Sequence, residues 1–587
     1  MNDAVDPLLR ARAVAAAQGH QPFDLLLVGG TVVDVGCGEL VAADVGIVGP
    51  LIASVHPRNS RGDATEIVDC AGRFIAPGFM DLHVHFESSM LTPGAYASAV
   101  CPRGTTTVFV DPHELANVSG TDGVRYALDA SRGLPVRFII QAPSCVPPQP
   151  GLELSGADLF ATDVARMLAW DEVGGLAEVM DMLGVLSGDD RMASVVAEGL
   201  ASGKLVSGHA AGLTGAALQA YLAAGMTSDH EIFTEPDCME KLRAGLTVEL
   251  RGAVDAILAG IVAELARLPL PPTHLVAATD DLFALTLLDE GGIDHLLRRL
   301  VRHGMDPVMA IRCATYHAAF RLGRSDLGLV AAGRQADLVV LSDLASIDVQ
   351  EVFSAGCLVA SGGEMLLEVI EGPSRPPLDT MHLAPVTAEQ MELRPGLPDG
   401  AHRLRVIADP VLTRWDSVEV VVRDGVVEVP PGYLLQVAIH RHGRIPAVAH
   451  AALLSGWGDW DGAVATTVAH DTHNLVVFGR DRHDMSAAAN QVIADGGGVS
   501  VARHGRVVAS IALPIAGLLS PLPAKQVAAA QRLVQEAAVG VGLFSPVLSQ
   551  PLFQVMVSSL ACMPGPHLTD LGIIDGSTGE LLAGMSA

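Results

Sequence analysis

Lysine is nearly absent: Lys204, Lys241 and Lys525 are the only three in 587 residues. Lysine and arginine together number 37 against 66 acids, a formal charge of −29. A field of that sign repels phosphate backbones, so nucleic acid is not an expected partner. The eight cysteines form no C-x-x-C pair, which excludes a zinc ribbon and a thioredoxin-type motif. No apolar run approaches the roughly 18 residues of a membrane span, so no membrane partner is expected. The first twenty residues place acids ahead of the arginines and lack a distinct apolar region and cleavage site. They do not read as a signal peptide, and a soluble cytoplasmic protein is the expectation. Charged residues are only 18% while hydrophobic ones reach 50%, a balance that excludes a disordered chain. The length suits two or three units with a large core.

Residues 23–56 are short β-like runs broken by glycines, and a run of like character, ADLVVLSDL, stands at 336–344. Two strand-rich pieces so far apart predict one small β-sandwich domain, 1–75 with 325–395, split by an insertion. Inside the insertion, 76–324, short apolar runs alternate with helical stretches. Strands are predicted near 79–85, 105–110, 136–141, 174–179, 204–209, 226–230, 245–250 and 273–279. Helical stretches are predicted at 115–133, 190–203, 214–224 and 290–304. Eight strands alternating with helices over about 250 residues is the arithmetic of a (β/α)8 TIM-type barrel. Prolines and glycines at 371–400 read as a linker. The remainder, 396–587, is strand-rich and then helical, and is predicted to be a C-terminal α+β domain.

The strongest chemical signal is Pro77-Gly78-Phe79-Met80-Asp81-Leu82-His83-Val84-His85 on the first barrel strand. Residues i and i+2 of a strand face the same way, so His83 and His85 converge at the strand end. Barrel enzymes keep their chemistry at that end. His209 ends the fifth predicted strand, His230 the sixth and Asp280 the eighth. Four imidazoles and a carboxylate at one barrel mouth predict a metal site.

With these residues in view, the sequence resembles the amidohydrolase superfamily and, within it, the adenine deaminase family. The resemblance is carried by APGFMDLHVHFESSMLTP (76–93), GTTTVFVDPHELANVSG (104–120), GLAEVMD (175–181), GHAAGLTG (208–215), GMTSDHE (225–231), ATDD (278–281) and GLVAAGRQADLVVL (328–341). VAHDTHNLVVFG (468–479) extends it into the third domain. The H-x-H and the closing G-R-x-A-D run are common to the superfamily, whereas HVHFESSMLTP with DPHE is specific to the narrower group.

The resemblance implies metal-dependent hydrolysis of adenine to hypoxanthine and ammonia. Many superfamily members bridge two metals with a carbamylated lysine on strand four. No lysine lies there in this chain; Glu178 does, and the resemblance implies that it bridges. The expected centre is binuclear, with His83, His85 and Asp280 on one ion and His209 and His230 on the other. The family association favours Mn(II) or Fe(II), with Zn(II) left open. Asp280 is expected to accept a proton from water, and Glu87 to meet the purine edge if the first strand continues through it. His113 is expected to polarise the leaving amine or hold an extra ion. Asp281 and Arg251 are candidate substrate contacts. His470 and His473, in an H-D-x-H stretch, are candidates to bind a metal or to reach across to the barrel mouth, the favoured reading being a polar turn before the strand LVVFG. A homodimer or higher homo-oligomer is the expected assembly.

Other readings fit less well. A dihydropyrimidinase normally needs the missing strand-four lysine. A mononuclear cytosine- or guanine-type deaminase usually carries a glutamate three residues after the strand-five histidine, where Gly212 stands here. The H-x-E with P-C-x-x-C of nucleic-acid deaminases is absent. A non-catalytic scaffold would be expected to have lost a ligand.

Overall fold

A computed structural model describes residues 6–545 and 550–582. Its centre is a barrel of eight parallel strands: β1 (Phe79–His85), β2 (Thr105–Val110), β3 (Arg137–Ala142), β4 (Val173–Val179), β5 (Leu205–Gly208), β6 (Ser228–Asp229), β7 (Thr247–Leu250) and β8 (Leu275–Ala277). Strands such as Thr-Thr-Thr-Val-Phe-Val of β2 are buried at every position. That is the pattern of parallel strands with side chains in the barrel on one face and helices on the other.

One sheet runs β5-β4-β3-β2-β1 and a second runs β6-β7-β8. The seams close at both ends. Thr227 N–H bonds Val206 O beside β5 and β6. The short strand Asp280–Asp281, just beyond β8, pairs in parallel with Val84 and His85 of β1. The expected eight strands are therefore present, with β5 to β8 each shorter than predicted. The predicted helix 115–133 is two helices, His113–Ser119 and Thr121–Ala130. Gly120 breaks it with φ 61° and ψ −142°, outside the helical region.

Both flanks of the barrel contribute to one β-layer. Leu338–Leu341 pairs antiparallel with Phe74–Pro77, Val339 opposite Ala76. Phe74–Pro77 in turn pairs with Thr31–Asp34. The chain thus enters and leaves the barrel through adjacent strands of a ten-stranded sheet.

Residues 371–387 carry no helix or strand, as expected of a linker, and a single 3-10 turn follows at Ala388–Met391. The C-terminal part is a nine-stranded sheet from Gly400–Ala408 to Arg506–Ala512, with helices Arg482–Ala494 and Ala524–Gly540. It docks on the barrel mouth through polar bonds. Gln531 accepts from Leu285 N–H at 2.9 Å and donates to Ser89 O at 3.2 Å. Asn474 donates to Leu154 O at 2.8 Å, and Asp570 accepts from Leu154 N–H at 3.0 Å. No helix among the described residues is long and apolar enough to cross a membrane.

Candidate metal centre

The strand ends place the candidate ligands on one face of the barrel. His83 and His85 end β1, Glu178 is the penultimate residue of β4, and His209 and His230 directly follow β5 and β6. Asp280 is brought over the mouth by a left-handed residue, φ 61°. All six are buried.

Glu178 stands at the middle. Its Oε1 lies 3.2 Å from His85 Nε2, 3.6 Å from His83 Nε2 and 3.6 Å from His113 Nδ1. Its Oε2 lies 2.6 Å from His209 Nδ1 and 3.3 Å from His230 Nε2. One carboxylate therefore presents each oxygen to a different set of imidazoles. His83 Nε2 and His85 Nε2 are 2.9 Å apart, and Asp280 Oδ1 is 3.6 and 3.3 Å from them. His85 Nδ1 is 3.0 Å from Asp111 O, a backbone partner that leaves Nε2 free to ligate. His209 Nε2 and His230 Nδ1 have no hydrogen-bond partner in their buried surroundings. Convergent nitrogen and oxygen atoms with so few internal hydrogen bonds fit divalent metal ions, and His83, His85, Glu178, His209, His230 and Asp280 all belong to such groups.

The remaining predicted residues sit around this core. Arg251 directs Nη2 to Glu231 Oε1 at 2.8 Å and Nη1 to Asp280 Oδ2. Burial alone would raise the Asp280 carboxyl, but the Arg251 guanidinium, followed by His85, holds it well below the usual range. Arg251 is thus committed to two carboxylates.

Glu87 differs from the strand-parity expectation. β1 stops at His85, and Phe86–Ser89 form a 3-10 turn closed by Ser89 Oγ on Phe86 O and by left-handed Met90, φ 64°. Glu87 is fully buried, takes a 3.4 Å bond from Leu115 N–H, and leaves Oε2 without a partner. Burial, then the neighbouring Glu114, pushes its carboxyl upward toward the neutral form. His113 Nδ1 lies 3.2 Å from Asp111 Oδ2, and its Nε2 lies 3.5 Å from Asp471 Oδ1. Burial opposes its charge, but Asp111 foremost, with Asp471, raises it well above an ordinary histidine. Ser88 Oγ lies 2.5 Å from Asp281 Oδ1 and 2.8 Å from Glu114 Oε1, so its single hydroxyl proton is shared between the two carboxyl groups.

Asp111, Glu231 and Asp471 were not expected in the site. Glu231 follows His230 directly, and its neighbour was the available signal. Asp471 comes from the C-terminal domain, and no spacing in the sequence pairs it with His113. The H-D-x-H segment is the expected turn before the strand Leu475–Gly479, but it is buried and reaches across to the barrel. His470, Asp471 and His473 are buried and face Glu114 and His113 across the domain boundary.

The strand-end geometry agrees with comparisons to known proteins. The amidohydrolase family model matches residues 74–359, and the adenine deaminase C-terminal domain model matches 410–580. An adenine deaminase from Klebsiella pneumoniae subsp. pneumoniae is 51% identical over 98% of this chain and 95% of its own length. The chain belongs to the adenine deaminase family. Within it, adenine deaminase 2 of Rhizobium meliloti is 49% identical over 99% of this chain and 97% of its own. An adenine deaminase of Serratia proteamaculans is 49% identical over 98% and 96%. The family's barrel and C-terminal domain are both present here, so the Asp471–His113 contact joins two family-defining parts of one chain.

Proposed function

We propose that this protein hydrolyses adenine to hypoxanthine and ammonia at a binuclear divalent metal centre. The observation that carries the reading is the split of Glu178, with Oε1 toward His83 and His85 and Oε2 toward His209 and His230. In this reading His83, His85 and Asp280 would hold one ion and His209 and His230 the other, with Glu178 as the carboxylate available to both. Mn(II) or Fe(II) is the expected pair, with Zn(II) the alternative. Divalent ions held there would lower the pKa of water and supply a nucleophile near neutral pH.

The protein's own groups account for the proton traffic. Water adds to C6 of the purine and the C6–amine bond breaks, so protons must reach a ring nitrogen and the leaving amine. Asp280 Oδ1 faces the histidine cluster while Arg251 fixes Oδ2, which orients the acceptor oxygen. Glu87, kept toward its neutral form by burial, is suited to donate to the purine edge. His113, kept charged by Asp111 and Asp471, is suited to donate to the departing amine. Asp281, held by Ser88, is a substrate contact in the same wall. The buried loop 470–474 covers the mouth, which favours a free base over a base carrying ribose.

The test is ultraviolet monitoring of adenine, adenosine, guanine and cytosine with protein reloaded with Mn(II) or Fe(II). Adenine is expected to turn over and adenosine not. Chelated protein is expected to lose activity and to regain it with about two equivalents of metal per chain. Full turnover by metal-free protein, or cytosine as the sole good substrate, would overturn the reading.

A further inference from the structure

A second group of metal-ligating side chains lies outside the barrel centre, at the boundary between the barrel and the C-terminal domain. Glu114 stands at the start of helix His113–Ser119. His470 and His473 come from the loop before the strand Leu475–Gly479. His470 Nδ1 is 3.5 Å from Glu114 Oε1, and His473 Nε2 is 3.7 Å from Glu114 Oε2. The three side chains together offer one ligand atom each in a compact group.

We propose that Glu114, His470 and His473 form a third site, for a divalent transition-metal ion that ties the C-terminal domain to the barrel.

Three features support it. Glu114 and His473 are 0% exposed and His470 4%, so water does not satisfy them from outside. Glu114 Oε2 and His473 Nε2 are buried, close to each other and without a hydrogen-bond partner. Orphaned buried polar atoms are costly, and natural proteins rarely leave two together. The separations are too long for hydrogen bonds. They approach the roughly 3.4 Å expected between two ligand atoms that share a tetrahedral ion with bonds of about 2.0–2.2 Å. Two imidazoles with one glutamate form a donor set known for zinc with one position left for water, and the same donors suit iron and manganese.

The partners of each ligand can also be stated. Glu114 Oε1 shares the one Ser88 hydroxyl proton with Asp281 Oδ1. Ala469 N–H approaches His473 Nδ1 at a long 3.3 Å. An ion on Nε2 places the ring proton on Nδ1, so that contact gives way when the site loads. His473 sits in the left-handed region at φ 50°, which holds its ring toward Glu114 rather than out of the domain.

This inference does not depend on adenine as substrate. Its test is metal content rather than turnover. Full-chain protein is stripped of metal, reloaded with Zn(II), passed through gel filtration and analysed by mass spectrometry. Wild type is expected to hold about three ions per chain. His473→Asn, which tolerates the left-handed backbone and is too short to reach the ion, is expected to hold about two. Glu114→Ala is expected to do the same, and His83→Ala to keep the third ion while losing at least one from the barrel. An anomalous diffraction map at the zinc edge on wild-type crystals decides the matter even if a variant fails to fold. A peak between Glu114, His470 and His473 supports the site. The same ion count in wild type and both boundary variants, or no peak there, would overturn it, whatever number of ions the barrel holds.

Discussion

Replacing Glu178 with Gln keeps the side chain's volume and removes the charge that two sets of histidines share. The variant is expected to lose about one ion and to fall in rate by 10²-fold or more, read by metal analysis and by adenine turnover. Arg251→Met tests the neighbouring pair. Arg251 holds Asp280 ionised, so its loss raises the Asp280 pKa. The group that must be ionised then needs a higher pH, and the acid limb of the kcat/KM profile is expected to move upward in pH. A profile that stays in place would show that Asp280 is not the acceptor. At this scale the residues legible from strand period and strand end were His83, His85, His209, His230 and Asp280, whereas Glu178 was singled out by the family resemblance. Arg251, a candidate base contact, is ion-paired to Glu231 and Asp280, a pairing that strand period alone does not locate. Glu87 kept its place near the site while losing its strand, because a 3-10 turn obeys a different side-chain direction.

One of the three lysines shows how an element, rather than a residue, sets the ligands. Lys241 on helix Glu235–Arg243 is fully buried. Its Nζ reaches Asp229 Oδ2 at 2.8 Å, Asp237 Oδ1 at 2.9 Å and Glu231 O at 2.6 Å. Asp229 Oδ1 in turn accepts from Ala210 N–H at 2.7 Å and Glu231 N–H at 3.2 Å. Those are the residues after His209 and His230, so the helix pins the ends of β5 and β6 together. Lys241→Met strands two buried carboxylates and is expected to cost about 3–5 kcal/mol of stability. Weaker binding of one ion should accompany the loss, checked by denaturant unfolding alongside metal titration. Unchanged metal affinity in a destabilised protein would confine the lysine to a role in stability. The barrel strands themselves were legible from alternating apolar runs and helices. This clamp was not, because it joins a helix interior to two loop amides.

The whole molecule is built by returns. The β-layer closes only when Leu338–Leu341 pairs with Phe74–Pro77, so the barrel is stapled shut by its own two flanks. The mouth is then covered by the C-terminal domain, whose Asp471 reaches His113. The eight-strand arithmetic made the barrel legible, and composition alone marked a third unit, but the face on which that unit docks depends on side chains such as Gln531 and Asn474 that carry no periodic signal. Removing residues 401–587 is expected to bare His113, Glu114 and barrel residues such as Phe283 and Leu285 that share an apolar cluster with that domain, giving protein that aggregates and holds metal weakly. Light scattering and metal analysis of the shortened chain would check this.

The cover over the mouth also sets a clock. His83, His85, Glu178 and Asp280 have almost no contact with solvent, so release of an ion is expected to require an opening, for which the buried loop 470–474 is the natural candidate. Exchange is then a two-step process in which opening comes first and capture second. With a strong chelator the rate of metal loss should rise with chelator concentration at first and then reach a plateau, the plateau being the opening rate. Removing the Asn474–Leu154 bond that holds the cover to the barrel, through Asn474→Ala, should raise that plateau without changing the initial slope per open molecule. An ion that enters as the domain docks is thus held by kinetics as well as by affinity, and the metal a cell offers at that moment becomes the metal the protein keeps.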